Sequence, residues 1–143
     1  MLTVLQKSLS SSKNPFVVES NGAHPIVGMF ENASIPELIL VFAVACVAAP
    51  IVEEITFRGV LYRGLRDQTG RRSALGSIAI SGLVSGFIFA AIHPQGWVAI
   101  PALGAIGFAM ALAREWRGSL IAPIVMHAIN NTVVMTIMLM MLG

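Results

Sequence analysis

The chain is 143 residues long, 56% hydrophobic and 11% charged, with a formal net charge of +2. Soluble domains carry roughly 25% charged residues, so a composition this apolar, with a mean hydropathy of +0.81, excludes an ordinary soluble enzyme and predicts a membrane protein. So small a net charge gives no reason to expect a nucleic-acid partner, the length allows one domain at most, and the single Cys46 excludes an internal disulfide.

Residues 1–33 read as a polar N-terminal segment, partly irregular, with short apolar pieces, FVV and HPIVGMF, suited to an interface. Its opening, MLTVLQKSLSSSKNP, lacks the continuous apolar core of a cleavable signal peptide. Residues 34–143 read as the membrane domain. Ser34-Ile-Pro-Glu37 fits a capping box with proline in the first turn, a helix start signal. From Ile35 to Val52 the only charge is Glu37, and that run is about the length needed to cross a bilayer. The helical pattern continues through Glu53 and Glu54 to Arg66. SALGSIAISGLVSGFIFAAIH, residues 73–93, predicts a second span without a formal charge. HPQG makes a turn, and GWVAIPALGAIGFAMALA, residues 96–113, is the third span. REWRG turns again, and residues 119–142 are the fourth, rich in methionine. The fold class expected is therefore all-α, a polytopic bundle of about four transmembrane helices. Small residues at spacings such as Gly82 to Gly86 let such helices approach closely.

The loop after the first span carries Arg63, Arg66, Arg71 and Arg72, and the loop after the third carries Arg114 and Arg117. With four spans both loops fall on one side, which the positive-inside rule makes cytoplasmic. The expected location is thus the membrane, as a multi-pass integral protein surrounded by lipid.

Ionisable groups near a bilayer core are costly and usually mark a functional site or its supports. Glu54 and Arg58 stand i and i+4 with the acid first, the favourable order for an ion pair. Glu53 points about 100° away from Glu54, so the pair braces while Glu53 stays free for chemistry. The alternative is an interfacial cluster that merely ends the span, its arginines reaching to headgroups. His93 follows Phe89 by one helical turn, so ring and imidazole share a face. A histidine at a helix end before Pro94 also serves simply to meet water. His127 and Asn131 are again i and i+4, with apolar sequence on both sides, and either line a site or join helices by hydrogen bonds. Rises of about 1.5 Å per residue from the arginine-rich end put Glu53, His93, His127 and Asn131 roughly 20, 27, 12 and 18 Å deep. Helix tilts of about 20° can bring them to one polar pocket.

EEITFR, FAAIH and HAINN, in this order and each in or beside an apolar span, resemble the EExxxR, FxxxH and HxxxN motifs of the CPBP family. That family comprises CAAX proteases and bacteriocin-processing enzymes, is also called Abi, and includes the type II CAAX prenyl endopeptidases. The resemblance covers about residues 36 to 142. It implies an intramembrane endopeptidase in which Glu53 and His93 activate water and His127 and Asn131 support the oxyanion. Glu54, Arg58 and Phe89 would complete the motifs, and the substrate would be a membrane-embedded or lipidated, CAAX-like protein segment. Family members usually carry further membrane helices before the first motif, which residues 1–33 are too polar to supply. The chain is therefore expected to be a fragment, a minimal form, or one that completes itself by self-association.

The chemistry of the residues agrees with those roles. Peptide hydrolysis needs a base for the water, an acid for the leaving amine and donors for the oxyanion. Asn131 offers two N–H donors without charge. No HExxH motif is present, and no serine or cysteine pairs convincingly with a base. A glutamate and two histidines also match known catalytic zinc sites. Zinc on Glu53, His93 and His127 thus stays open beside a metal-free, glutamate-type enzyme, and the family has been described in both ways. Two other readings remain: an inactive membrane scaffold or bacteriocin-immunity-type protein that keeps the motifs for packing, and a small proton-coupled transport subunit with Glu53, His93 and His127 as relay.

Overall fold

The computed structural model describes residues 33–70 and 73–142. The expected N-terminal segment, except Ala33, and Arg71 and Arg72 lie outside the described residues. Four helices long and apolar enough to cross a membrane follow one another: α1, Ile35–Thr69; α2, Ala74–Ala91; α3, Ile100–Arg117; and α4, Ile121–Leu142. There is no strand among the described residues. The all-α membrane bundle expected from composition is what the chain forms.

Helix α1 starts where the capping signal places it, with the Glu37 carboxylate accepting from both the backbone N–H and the hydroxyl of Ser34 at 2.7 Å. It runs without a break but not with one geometry. Val44–Ala48 and Ile55–Leu61 are π-helical, and the α-helical stretch Ala49–Glu54 between them carries both glutamates. Pro50 gives the physical reason for the first of these. A proline inside an α-helix removes one backbone donor and clashes with the carbonyl four residues back. Here the Ala49 N–H reaches five residues back, to Val44 O, and the helix widens just before the proline.

Helices α2 and α3 pack backbone to backbone. A Cβ on Gly86 would stand 2.8 Å from Gly104 O, and one on Gly107 would stand 2.9 Å from the Gly86 Cα. Membrane helices associate by this kind of close contact between small residues. The REWR stretch, expected as a turn, is the last turn of α3, and the chain leaves it through Gly118 at φ 64. Its glycine supplies the left-handed cap that ends many helices. Trp97, in the 3-10 turn before α3, and Trp116 at its end are 81% and 83% exposed. Their separation along the helix is about 29 Å, close to the roughly 30 Å of a hydrocarbon core, and such indoles mark the two interfaces.

Helix α1 is the hub. At the arginine-rich end it is tied to α3 by Arg66, which donates to Glu115 Oε1 at 2.7 Å and Oε2 at 3.3 Å, and by the Tyr62 hydroxyl, which donates to Glu115 Oε2 at 2.9 Å. Arg66 also reaches the Ser77 hydroxyl on α2, which is 2.6 Å from Thr69 Oγ1. At the opposite end Cys46 of α1 packs on Met135 of α4, with Leu38, Val41 and Phe42 around them. The site lies between these two fastenings.

Candidate active site

Glu54 is fully buried and its Oε1 accepts two hydrogen bonds, one from Arg58 Nη1 and one from His127 Nδ1, both at 2.8 Å. The i, i+4 pair expected from sequence is therefore formed, and it recruits α4 as well. Arg58, also fully buried, spends Nη2 on the carbonyl of Gly107 at 2.8 Å. That oxygen is within reach because Gly107 has no side chain: a Cβ there would stand 3.2 Å from Nη2. The guanidinium carbon also lies 4.8 Å from the centroid of the Phe89 ring, a cation–π distance. A buried ion pair survives only with such additional partners.

Phe89 is the apolar centre of the cluster. Its ring meets Phe57 edge-on at 5.2 Å, His127 edge-on at 5.6 Å, and His93 tilted at 4.2 Å. Packed against Phe89, His93 turns Nδ1 to the Phe89 carbonyl at 2.5 Å. A carbonyl only accepts, so Nδ1 carries the proton and Nε2 faces the site. The same reasoning applies to His127: with Glu54 ionised, Nδ1 donates to it and Nε2 points inward. Each imidazole is thus held in one tautomer by a neighbour, as good mechanistic sites require.

The two Nε2 atoms converge on Glu53. Its Oε2 lies 3.8 Å from His93 Nε2 and 3.7 Å from His127 Nε2, and has no hydrogen-bond partner among the described residues. Three acceptor atoms face one another with no direct bond between them. A water molecule bridges such a set naturally, since it can donate to two of them. Among the described residues no three His, Cys, Asp or Glu side chains are arranged, as they stand, to hold a metal ion.

Asn131 shares the cavity, but its amide is already engaged. Nδ2 donates to Ala45 O at 2.9 Å, while Oδ1 faces the Asn130 amide at 3.4 Å. In the π register of α1, Ala45 O would look to the N–H of residue 50, which is a proline. Asn131 supplies the missing donor and keeps its second N–H for the cavity. Sequence reasoning missed this role, although a proline one turn before the glutamates was the available signal.

The cavity measures about 620 Å³. It is lined by Glu53, Phe89, Ile106 and His127, and by Asn131, Met135 and Met138 along α4. All the expected site residues are therefore in one place: Glu53, Phe89, His93, His127 and Asn131 line the cavity, and Glu54 and Arg58 are buried behind it.

Residues 35–133 match the family model described as type II CAAX prenyl endopeptidase Rce1-like. The chain belongs to this Rce1-like family. It is also 27% identical, over 126 residues, to an uncharacterized 24.3 kDa protein of Escherichia coli. That match covers 87% of this chain and 52% of the relative, so the chain spans about half the length of the curated protein it matches. No solved structure matches it. The Rce1-like match takes in all three motifs, from EEITFR through HAINN, and ends two residues past Asn131.

Proposed function

We propose that the chain is an intramembrane endopeptidase that hydrolyses a peptide bond of a membrane-embedded or lipidated protein. The observation that carries this reading is the convergence of the Glu53 carboxylate with two inward-facing imidazole nitrogens in a cavity between four apolar helices. Water held between Glu53 Oε2 and His93 Nε2 gives its proton to Glu53 as its oxygen attacks the scissile carbonyl carbon. The C–N bond then breaks, and the proton on Glu53 passes to the leaving amine. One product ends in a carboxyl group and the other in an amine.

The developing oxyanion needs donors. The second N–H of Asn131 is one. His127, held by the bond from its Nδ1–H to Glu54, becomes the other once its Nε2, an acceptor at rest, has taken up a proton from the cavity. On this reading every role in the hydrolysis is filled by side chains of this chain.

The family match supports a peptidase, and the seal beneath the site speaks against a proton relay. Arg58, Ser81, Ser85, Met110 and Ala111 are at most 1% exposed, so the bundle is packed against solvent at these side chains. The deciding experiment incubates the purified chain, in detergent or liposomes, with single-span and lipidated reporter peptides. Cleavage by the native chain and none by Glu53→Gln supports the reading. Cleavage by neither points to the scaffold.

A further inference from the structure

Six of the described residues that line the cavity have polar side chains: Glu53, His93, Gln95, His127, Asn130 and Asn131. The hydrolysis uses four of them. Gln95 is exposed in the turn between α2 and α3, where its amide stays hydrated. Asn130 is different: it is partly buried inside α4, in an apolar span, and the hydrolysis gives it no role. At about 100° of turn per residue it stands about 60° to one side of His127, and Asn131 about 40° to the other. The two amides therefore flank the imidazole on the cavity face of α4.

Hydrogen bonds fix which way both amides face. Ala45 O only accepts, so Asn131 turns Nδ2 to it and leaves Oδ1 toward Asn130. That oxygen also only accepts, so Asn130 gives it Nδ2, at 3.4 Å. The atom left over is Asn130 Oδ1, an acceptor with no hydrogen-bond partner among the described residues. A polypeptide drawn into an apolar cavity brings backbone N–H groups that lose water and are costly to leave unpaired. In an extended strand the N–H and C=O of one residue point the same way. A residue whose carbonyl meets the Asn131 donor thus presents its own N–H on the same side, where Asn130 is the neighbour. We infer that Asn130 Oδ1 accepts the backbone N–H of the residue whose carbonyl is attacked. The two asparagines then hold both polar groups of that residue, and the site grips an extended segment. A helical segment offers no such N–H, because its own carbonyls have already taken it. This assignment rests on the endopeptidase reading.

The test uses the single-span reporter peptide, remade with an ester in place of the amide whose nitrogen belongs to the cleaved residue. That change deletes one N–H and leaves the scissile bond an amide. For the native chain it should raise KM roughly 2- to 10-fold, the worth of one hydrogen bond. An ester one residue earlier, whose N–H points to the other side, should cost less. Asn130→Ala should raise the KM of the amide reporter by a similar factor, with the loss in KM rather than kcat, and should no longer distinguish ester from amide. Equal KM for the two reporters with the native chain overturns the assignment, and this comparison decides alone should Asn130→Ala fail to fold. An ester penalty that persists undiminished in Asn130→Ala also overturns it, since the N–H then has another partner. A fall in kcat with KM unchanged makes Asn130 a support for Asn131 instead. Cleavage of no reporter by the native chain overturns the endopeptidase reading, and this grip falls with it.

Discussion

The amide of Asn131 on α4 donates to the carbonyl of Ala45 on α1 at 2.9 Å, and Pro50 is the reason that oxygen is free. Replacing Pro50 by alanine restores a backbone N–H in the π register. Asn131→Ala should then cost up to about 1 kcal/mol, the net worth of a partly buried hydrogen bond, in the native background and clearly less in Pro50→Ala. Denaturation in mixed micelles measures the four proteins. Equal losses in both backgrounds would show that the proline does not create the need for Asn131.

Arg58 and Glu54 give the largest expected effect on stability. Removing one partner of a buried pair costs roughly 3–5 kcal/mol because the other is left uncompensated. Arg58→Gln and Glu54→Gln should each lower the yield of folded protein, and the double substitution should recover part of it. Glu54→Gln also loosens His127, so it should remain the more damaging of the two for cleavage. Additive losses would sink the pair.

Glu53 should behave in the opposite way. Its Oε2 has no hydrogen-bond partner among the described residues, so Glu53→Gln should fold as well as the native chain. A lost general base costs about 10²–10⁴-fold in rate. A folded yield well below that of the native chain would make Glu53 a structural residue instead.

The pattern of these effects shows how far the sequence could be read. Contacts within one helix follow from spacing, so Glu54–Arg58, Phe89–His93 and His127–Asn131 were visible as i, i+4 pairs. Contacts between helices depend on rotation and tilt, which spacing does not carry. Nothing in EEITFR says that Glu54 meets His127, 73 residues away, or that Arg66 meets Glu115. The two π-helical stretches add to the difficulty, since each turns the face that a strict 3.6-residue period would present. The REWR stretch misled for a simpler reason: its polarity ends the apolar run, but its backbone ends only at Gly118.

Metal removal separates the two enzyme chemistries. Since Glu53, His93, His127 and Asn131 fill the roles of hydrolysis, activity should survive dialysis against a chelator. Asn131→Asp, which keeps the shape but loses the donors, should then slow turnover by about 10²–10³-fold. Zinc near one per chain, with activity lost to chelators and restored by zinc, would overturn the metal-free mechanism, because zinc polarises the carbonyl itself.

Gly107→Ala tests the joint between α2 and α3. The new methyl group would meet the Gly86 Cα at 2.9 Å and Arg58 Nη2 at 3.2 Å, so either the helices part or the guanidinium leaves its carbonyl. Overpacking of this kind costs typically 1–3 kcal/mol. Lower thermal stability is expected, and full retention of it would show that the joint is slack.

The spacing of Glu54 and Arg58 also bears on how the chain is made. Synthesis runs from the N-terminus, and α1 emerges before α2, α3 or α4 exists to receive its charges. An acid and a base one turn apart on the same helix can neutralise each other at that moment, within a segment that must already leave the translocon for lipid. His127 belongs to the last helix and reaches Glu54 only when the bundle closes. The order of the contacts in the finished protein is thus an order in time: a local pair that lets α1 enter the bilayer, and a late imidazole that completes the site only in a chain that has been synthesised through α4.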